Sequence, residues 1–395
     1  MSVWNRSSGL GVHCEPLRRD ETADVVVVGA GVSGALMAHA LVADGHRVVV
    51  LERRRPLSGS TIASTALLQF EIDVPLTVLA DQIGWDVAYR AWTTSWRGVR
   101  SLTHLIRHEH IRCGLHECRS LYLAGTSLGP RALAQEQRAR TRAGLPCRYL
   151  DAETLRKRYG IERTAALESM PAATLNPAQL TAGLLRRCVA RGARVFAPAN
   201  AEHLSIDRER VVIGTAEGPC AIGTHAVFCT GYELPTVIAV PRRAEIKCTW
   251  AIATTRDTAF PRWMRDTVVW EASDPYLYLR ATGDGRLIAG GEDEDATQAQ
   301  HSVRGLHAKA SRIAAKVRSL VPGLSFRVSH RWEGIFGTST TGLPIIGPLP
   351  EWPRCYGVAG LGGNGITFSQ VAAGVIARAI ANQPSPDLEL FGLRR

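Results

Sequence analysis

The tightest constraint on this chain lies in residues 25–52, VVVVGAGVSGALMAHALVADGHRVVVLE. Four valines, as a buried parallel strand requires, lead into Gly29-Ala30-Gly31-Val32-Ser33-Gly34. A helical pattern then runs through Ala43, and a second β-branched strand from Arg47 to Leu51 ends in Glu52. Each part has a physical task. Gly29 makes the tight turn, Gly31 lets the backbone approach a pyrophosphate, and Gly34 lets helix and strand pack closely. The helix start faces the phosphates, and Glu52 accepts hydrogen bonds from ribose hydroxyls. The glycines alone say little. Strand, turn, helix, strand and acid in this order, within about 30 residues, specify a dinucleotide site.

A chain of 395 residues suggests two domains, or one with a large insertion. The net charge of +11 comes almost entirely from arginines scattered along the chain, with Lys157, Lys247, Lys309 and Lys316 as the lysines. No basic stripe is clustered as nucleic-acid binding needs, so nucleic acid is not expected as a partner. Nine cysteines, odd in number and without a C-x-x-C, read as a reduced, cytoplasmic pattern. No secretory h-region and no membrane span are read. Residues 1–22 read as a loose extension.

After Arg53 come Gly59, Ser60, Thr61, Ala63, Ser64 and Thr65, small residues that admit a flat ligand and donate from amides and hydroxyls. Strand character returns at Leu67 and Leu68. Residues 79–107 predict one long helix whose Trp92 and Trp96 stripe is core. The cluster His104, His108, His110, Cys113, His116 and Cys118 has no recognised zinc spacing, and no metal site is read there. Helices are predicted over 151–159 and 179–191, and strands over 194–206 and 210–229. The last strand ends in Cys229-Thr230-Gly231, which makes the dinucleotide-binding part discontinuous. From Ala244 the pattern is antiparallel β, with strands over 246–254, 268–271, 276–280 and 286–290, followed by a helix over 303–321. Period-two spacing sets Tyr276, Tyr278 and Arg280 on one face and Leu277 and Leu279 on the other. The first face is either a ligand-facing floor or a polar, solvent-facing side.

Residues 356–380 bring a strand into Gly360-Leu361-Gly362-Gly363-Asn364-Gly365 and then a helix from Ile366 and Thr367. This second helix start offers free amides and a positive dipole end, which suit the N1–C2=O edge of a reduced flavin. Two glycine-rich helix starts far apart in sequence suggest one long cofactor held at both ends.

Together with residues 59–68, Cys229-Thr230-Gly231 and Thr341-Gly342-Leu343-Pro344, these motifs resemble the D-amino-acid oxidase superfamily of FAD-dependent oxidoreductases, in its glycine oxidase and sarcosine oxidase branch. The resemblance covers residues 23–381. It implies an α/β fold, with a discontinuous Rossmann-like FAD-binding domain and an α+β substrate domain carrying a large, mostly antiparallel sheet. The FAD part takes residues 23–78, 150–238 and 331–388; the substrate part takes 79–149 and 239–330. It implies FAD, hydride transfer to flavin N5 from the carbon beside an amine or, less often, a hydroxyl, and a small-molecule substrate. A 2-hydroxy-acid dehydrogenase and a flavin-holding protein without turnover are the alternatives.

The departures bear on function. The two arginines that pair with a substrate carboxylate in glycine-oxidase-like members fall on Phe336 and Gly363, leaving Arg280 as a replacement from the sheet. The cysteine that links flavin in sarcosine-oxidase-like members falls near Gly334, so FAD is expected to be non-covalent. The oxygen-assisting lysine of that branch has no counterpart near 290–293, and Lys247 is the nearest candidate. Pocket candidates are Trp250, Tyr276, Tyr278, Arg280 and Phe336.

Overall fold

The four valines of Val25–Val28 are all buried, and they form an inner strand of a six-stranded sheet. Its order is Ile345–Pro348, Cys355–Ala359, His225–Phe228, Val25–Val28, Val48–Leu51 and Arg194–Phe196, parallel throughout except for the first strand. A strand buried on both faces needs apolar residues at every position, which is why the hydrophobic runs here do not alternate. One face meets the helices Val32–Ala43, Trp85–His108, Pro177–Ala190 and Gly365–Ile380 in a shared core that includes Leu36, Trp92, Leu184 and Ile376. The other face packs on a small sheet of Glu21–Thr22, Cys220–Gly223, Arg210–Thr215 and Ala201–Asp207. The computed structural model describes residues 2–7, 9–234, 238, 244–297, 299, 302–383 and 385–392. The boundary expected at residue 239 lies outside the described residues.

A nine-stranded sheet forms the second layer system. Its order is Val328–Ser339, Ala244–Thr254, Leu287–Asp295, Leu277–Ala281, Thr267–Glu271, His116–Leu123, Ala165–Thr174 and Leu67–Gln69, with Cys147–Asp151 paired beside Ala165–Thr174. All its pairs are antiparallel except Thr267–Glu271 with His116–Leu123. The face carrying Leu277, Leu279 and Trp250 packs on the helix Val303–Leu320. Tyr276 and Tyr278 face the other way, into a cavity, as the alternation predicts.

Three expectations are corrected. Residues 194–229 are five short strands in two sheets rather than two long ones. Pro198 cannot donate to a ladder, and Gly218, at φ +107°, supplies a turn. The helix expected over 79–107 is two, Leu76–Ile83 and Trp85–His108, broken at Gly84 with φ +85°. Nor is the N-terminal segment loose. Trp4 and Leu17 are buried, and Glu21–Thr22 pairs with residues 221 and 222. Sheet membership also cuts across the expected segments, because Leu67–Gln69, Ala165–Thr174 and Val328–Ser339 all belong to the larger sheet.

Trp92 is fully buried in the core, as expected. His104 and His108 stack with ring centroids 6.1 Å apart. Among the described residues no His, Cys, Asp and Glu group could hold a metal ion, no helix is long and apolar enough to cross a membrane, and no disulfide links the cysteines.

Candidate active site

The turn after Val25–Val28 is built by close approach. Gly29 has φ +106°, and a Cβ there would lie 2.5 Å from the Cys229 carbonyl oxygen. At Gly34 a Cβ would lie 1.8 Å from the Gly29 oxygen, so the helix Val32–Ala43 rests directly on the turn. Glu52 Oε2 accepts from the Ala30 amide at 2.9 Å, and Oε1 from the Arg54 amide at 3.0 Å. The Val32 amide donates to Thr61 Oγ1 at 3.0 Å, tying the helix start to the small-residue loop. Ser33 Oγ lies 2.7 Å from Ser369 Oγ, which joins this helix to Gly365–Ile380.

Both helix starts open on one cavity of about 630 Å³. Gly29, Gly31, Val32, Ser33, Glu52, Arg53, Thr61, Ser64, Thr65, Thr230, Gly231, Leu361, Gly362, Gly363, Asn364, Gly365 and Ile366 all line it, with Tyr276, Tyr278 and Phe336. Ala30, Gly34 and Thr367 lie just behind the wall. Ala30 is bound to Glu52 and Gly34 is packed on Gly29, while the Thr367 hydroxyl donates to the Gln69 carbonyl at 3.2 Å.

Four candidates are elsewhere. Leu68 is fully buried in the core, one residue out of phase with Gln69, which does line the cavity. Lys247 is not among the cavity-lining residues; it lies opposite Phe336 in the large sheet and is paired with Asp295 and Glu245. Trp250 faces the Val303–Leu320 helix, with the Lys309 ammonium 4.3 Å from its ring centroid. Arg280 is on the predicted face but is 2% exposed and outside the cavity. Its Nε donates to the Thr65 carbonyl at 2.6 Å and its Nη2 to the Leu175 carbonyl at 2.8 Å. Burial lowers its pKa to about 10, which still leaves it a cation at neutral pH. It fixes the wall of the site and cannot meet a substrate carboxylate.

The end of the cavity beside the Gly365–Ile380 helix has groups that the sequence reading missed. Residues 69–73 cross that helix start. Asn364 Nδ2 donates to the Glu71 carbonyl, and the Gly363 amide donates to Asp73 Oδ2 at 2.8 Å. Gln69, Asp73 and Trp270 join the lining. The Tyr276 hydroxyl donates to Asp293 Oδ2 at 2.9 Å, and burial raises the Asp293 carboxyl to about 6. Glu52 directly follows Val48–Leu51, whereas Asp73 lies four residues past the Leu67–Gln69 strand, and no local signal marks it. Glu71, two residues earlier, is fully buried and salt-bridged to Arg140, which also binds Glu136.

A long dinucleotide cofactor fits these residues. Glycine turns and two helix N-termini surround the space, and two buried oxygens on its wall, Thr230 Oγ1 and Gln69 Oε1, have no protein partner.

Fold and site thus define a three-sheet α/β protein with a dinucleotide cradle opening into an aromatic chamber. The chain belongs to the DAO family of FAD dependent oxidoreductases, whose model matches residues 24–379. The gamma-glutamylputrescine oxidoreductase of Escherichia coli (strain K12) is 24% identical over 376 residues, 93% of this chain and 85% of that protein. Glycine oxidase from Geobacillus kaustophilus has a similar structure, with a TM-score of 0.79 at 20% identity, covering 95% of this chain and 99% of that one. L-proline dehydrogenase from P. horikoshii gives a TM-score of 0.79 at 18% identity, over 95% and 98% of the two chains.

Proposed function

We propose that this enzyme oxidises a C–N bond of a small amine or amino acid. The observation that carries this reading is the continuity of one cavity, from the Gly29–Gly34 turn to Tyr276, Tyr278 and Phe336. The names of the relatives, gamma-glutamylputrescine oxidoreductase, glycine oxidase and L-proline dehydrogenase, all point to nitrogen compounds. When bound, the flavin supplies the hydride acceptor, N5. The protein contributes position and dryness. Tyr276 donates its phenolic proton to Asp293, so its oxygen lone pairs remain to accept from a substrate N–H. Phe336, Tyr278 and Trp270 present ring surface that excludes water around the reacting carbon.

Non-covalent flavin is part of the proposal. The cysteine on the cavity wall, Cys229, is buried, and burial pushes its thiol up to about 12, which keeps it protonated and unreactive. Residues 23–78, 150–238 and 331–388 are proposed to hold the FAD, and 79–149 with 239–330 the substrate. Cytoplasmic residence is proposed on nine cysteines without a disulfide among the described residues.

The test is the purified protein itself. Acid precipitation should release the yellow chromophore into the supernatant. Anaerobic addition of amines and amino acids should bleach the flavin, and 2-hydroxy acids should not. Bleaching by hydroxy acids alone, or by no compound in a broad panel, would refute the proposal.

A further inference from the structure

The charged side chains on the cavity wall are sorted by end. Arg53 and Arg54 stand beside Glu52, and both are paired with Glu233. Arg280, the cation nearest the aromatic chamber by sequence, is turned away into two backbone carbonyls. At the chamber end stands a carboxylate instead. Asp73 lines the cavity, its Oδ2 takes the Gly363 amide, and Oδ1 has no protein donor among the described residues. Asp73 is exposed to the cavity, and the protein packed around it raises its pKa. The Gly363 amide is the opposing influence, and no cationic side chain acts on it. Its charge reaches both Tyr276 and Asp293, raising their pKa values, so all three groups share one electrostatic neighbourhood. Gln69, 6% exposed, lines the same cavity, and its enclosed Oε1 has no partner among the described residues.

An uncompensated carboxylate is an acceptor awaiting a donor, and a cation bearing N–H groups satisfies it. Aromatic faces at Tyr276, Tyr278 and Phe336 favour the same kind of ligand. We propose that this chamber selects a cationic amine without a carboxylate beside the reacting carbon, with Asp73 receiving the ammonium. This rests on the oxidation proposed above and names its substrate class. A substrate carboxylate placed here would face Asp73 with no cation to offset it, so α-amino acids are poor ligands.

The test separates binding from turnover. Holoenzyme is titrated calorimetrically near neutral pH with cumylamine and with 2-methyl-2-phenylpropanoate, two ligands of one shape and opposite charge. The amine has no hydrogen on the carbon bearing nitrogen and cannot be oxidised. Cumylamine should bind at least tenfold more tightly than the acid. Asp73→Asn, which keeps an acceptor for the Gly363 amide, should abolish most of that preference while flavin content stays the same. Equal binding of the two ligands by the native enzyme overturns the inference without any variant. It also fails if Asp73→Asn keeps the preference, because Asp73 then serves only to cap the Gly365–Ile380 helix. Selective binding of cumylamine with no flavin bleaching by any oxidisable amine supports the charge assignment and refutes the oxidation. Bleaching by amino acids, together with tight binding of the acid, does the reverse.

Discussion

Gly34 and Gly31 stand three residues apart in one turn, and alanine at each should fail differently. At Gly34 the new methyl would lie 1.8 Å from the Gly29 oxygen and 2.9 Å from its carbonyl carbon. Real Cβ contacts essentially never fall below 3.0 Å, so helix and turn must separate by about 1.2 Å. Neither side can give cheaply. The Gly29 amide is bound to the Leu51 carbonyl at 2.7 Å, and Gly29 abuts the Cys229 backbone. The helix is held at its start by Thr61 and along its length by the burial of Ala35, Leu36, Met37 and Ala38. Overpacking of this kind costs about 1–3 kcal/mol or more. The melting temperature of the flavin-free protein should therefore drop by roughly 1–4 °C. At Gly31 the methyl meets only Thr61 Oγ1, at 3.2 Å, and a shift of a few tenths of an ångström relieves that contact while the Val32 hydrogen bond is kept. Gly31→Ala should melt like the native chain when stripped of flavin, yet bind FAD at least about tenfold more weakly, a loss of about 1.4 kcal/mol. Thermal melts of stripped protein and fluorescence titration with FAD make the two measurements. A stripped Gly34→Ala protein that melts like native, or native FAD affinity in Gly31→Ala, would refute the packing and phosphate-approach arguments respectively.

Asp293, raised from 3.8 to about 6 by burial, gives its stabilising contribution below pH 3.8 and loses it as the pH rises through about 6; ionised, it costs up to about 3 kcal/mol. Asp293→Asn should therefore raise the melting temperature at pH 8 and give no gain at pH 3.5, and a gain independent of pH counts against the assignment. Arg280→Met strands two buried carbonyls and should cost about 3 kcal/mol with loss of bound flavin, both read from denaturant melts and flavin content; a native-like melt contradicts the role given to Arg280. Gly84 has φ +85° and ψ 149°, a conformation nearly confined to glycine, so Gly84→Ala should cost about 1–3 kcal/mol in the same melts, and no loss means the helix break is not glycine-dependent. Trp4→Phe keeps the ring but removes the N–H that holds the Ser64 carbonyl, for about 1–3 kcal/mol; the readouts are melting temperature and rate of FAD loss, and unchanged values for both would remove Trp4 from the site's support.

The dinucleotide unit was legible because its information is local. Val25–Val28, the glycine turn, the helix Val32–Ala43 and Val48–Leu51 follow one another in sequence and in space. The alternation over 276–280 was legible for the same reason: it put Tyr276 and Tyr278 on one face, and the fold decides that this face meets the cavity and not solvent. The same alternation could not say where that cavity ends. Arg280 is on the right face and yet beyond the chamber, because the carbonyls of Thr65 and Leu175, about 215 and 105 residues away, come down over it. Asp73 was passed over because its neighbour in the site, Gly363, is 290 positions distant, and nothing near it in sequence says that it faces a ligand. Lys247 was singled out as a lysine at the start of a strand leading into the substrate sheet. Its partner Asp295 comes from the adjacent strand, and that ion pair occupies its ammonium.

The position of Arg280 makes sense beside two tryptophans that sequence reading had no reason to join to it. Trp332 Nε1 donates to the Ala63 carbonyl at 2.9 Å, Trp4 Nε1 to that of Ser64 at 2.7 Å, and Arg280 Nε to that of Thr65 at 2.6 Å. Three consecutive carbonyls of the cavity loop are thus each held by a side-chain donor, from the N-terminal segment, the Leu277–Ala281 strand and the Val328–Ser339 strand. The donors also brace one another. The Arg280 guanidinium lies 5.3 Å from the Trp4 ring centroid, and Trp4 and Trp332 share one buried cluster with Ala251 and Ile288. A loop of small residues has little side-chain bulk with which to fix itself, and ordering its backbone costs about 1–2 kcal/mol per residue. Holding its carbonyls from outside supplies that order before any ligand arrives and leaves the small side chains free to line the cavity. The N-terminal segment, which looked dispensable in sequence, is therefore part of the support of the cofactor site, and the small residues at 59–65 can be small because Trp4, Arg280 and Trp332 are not.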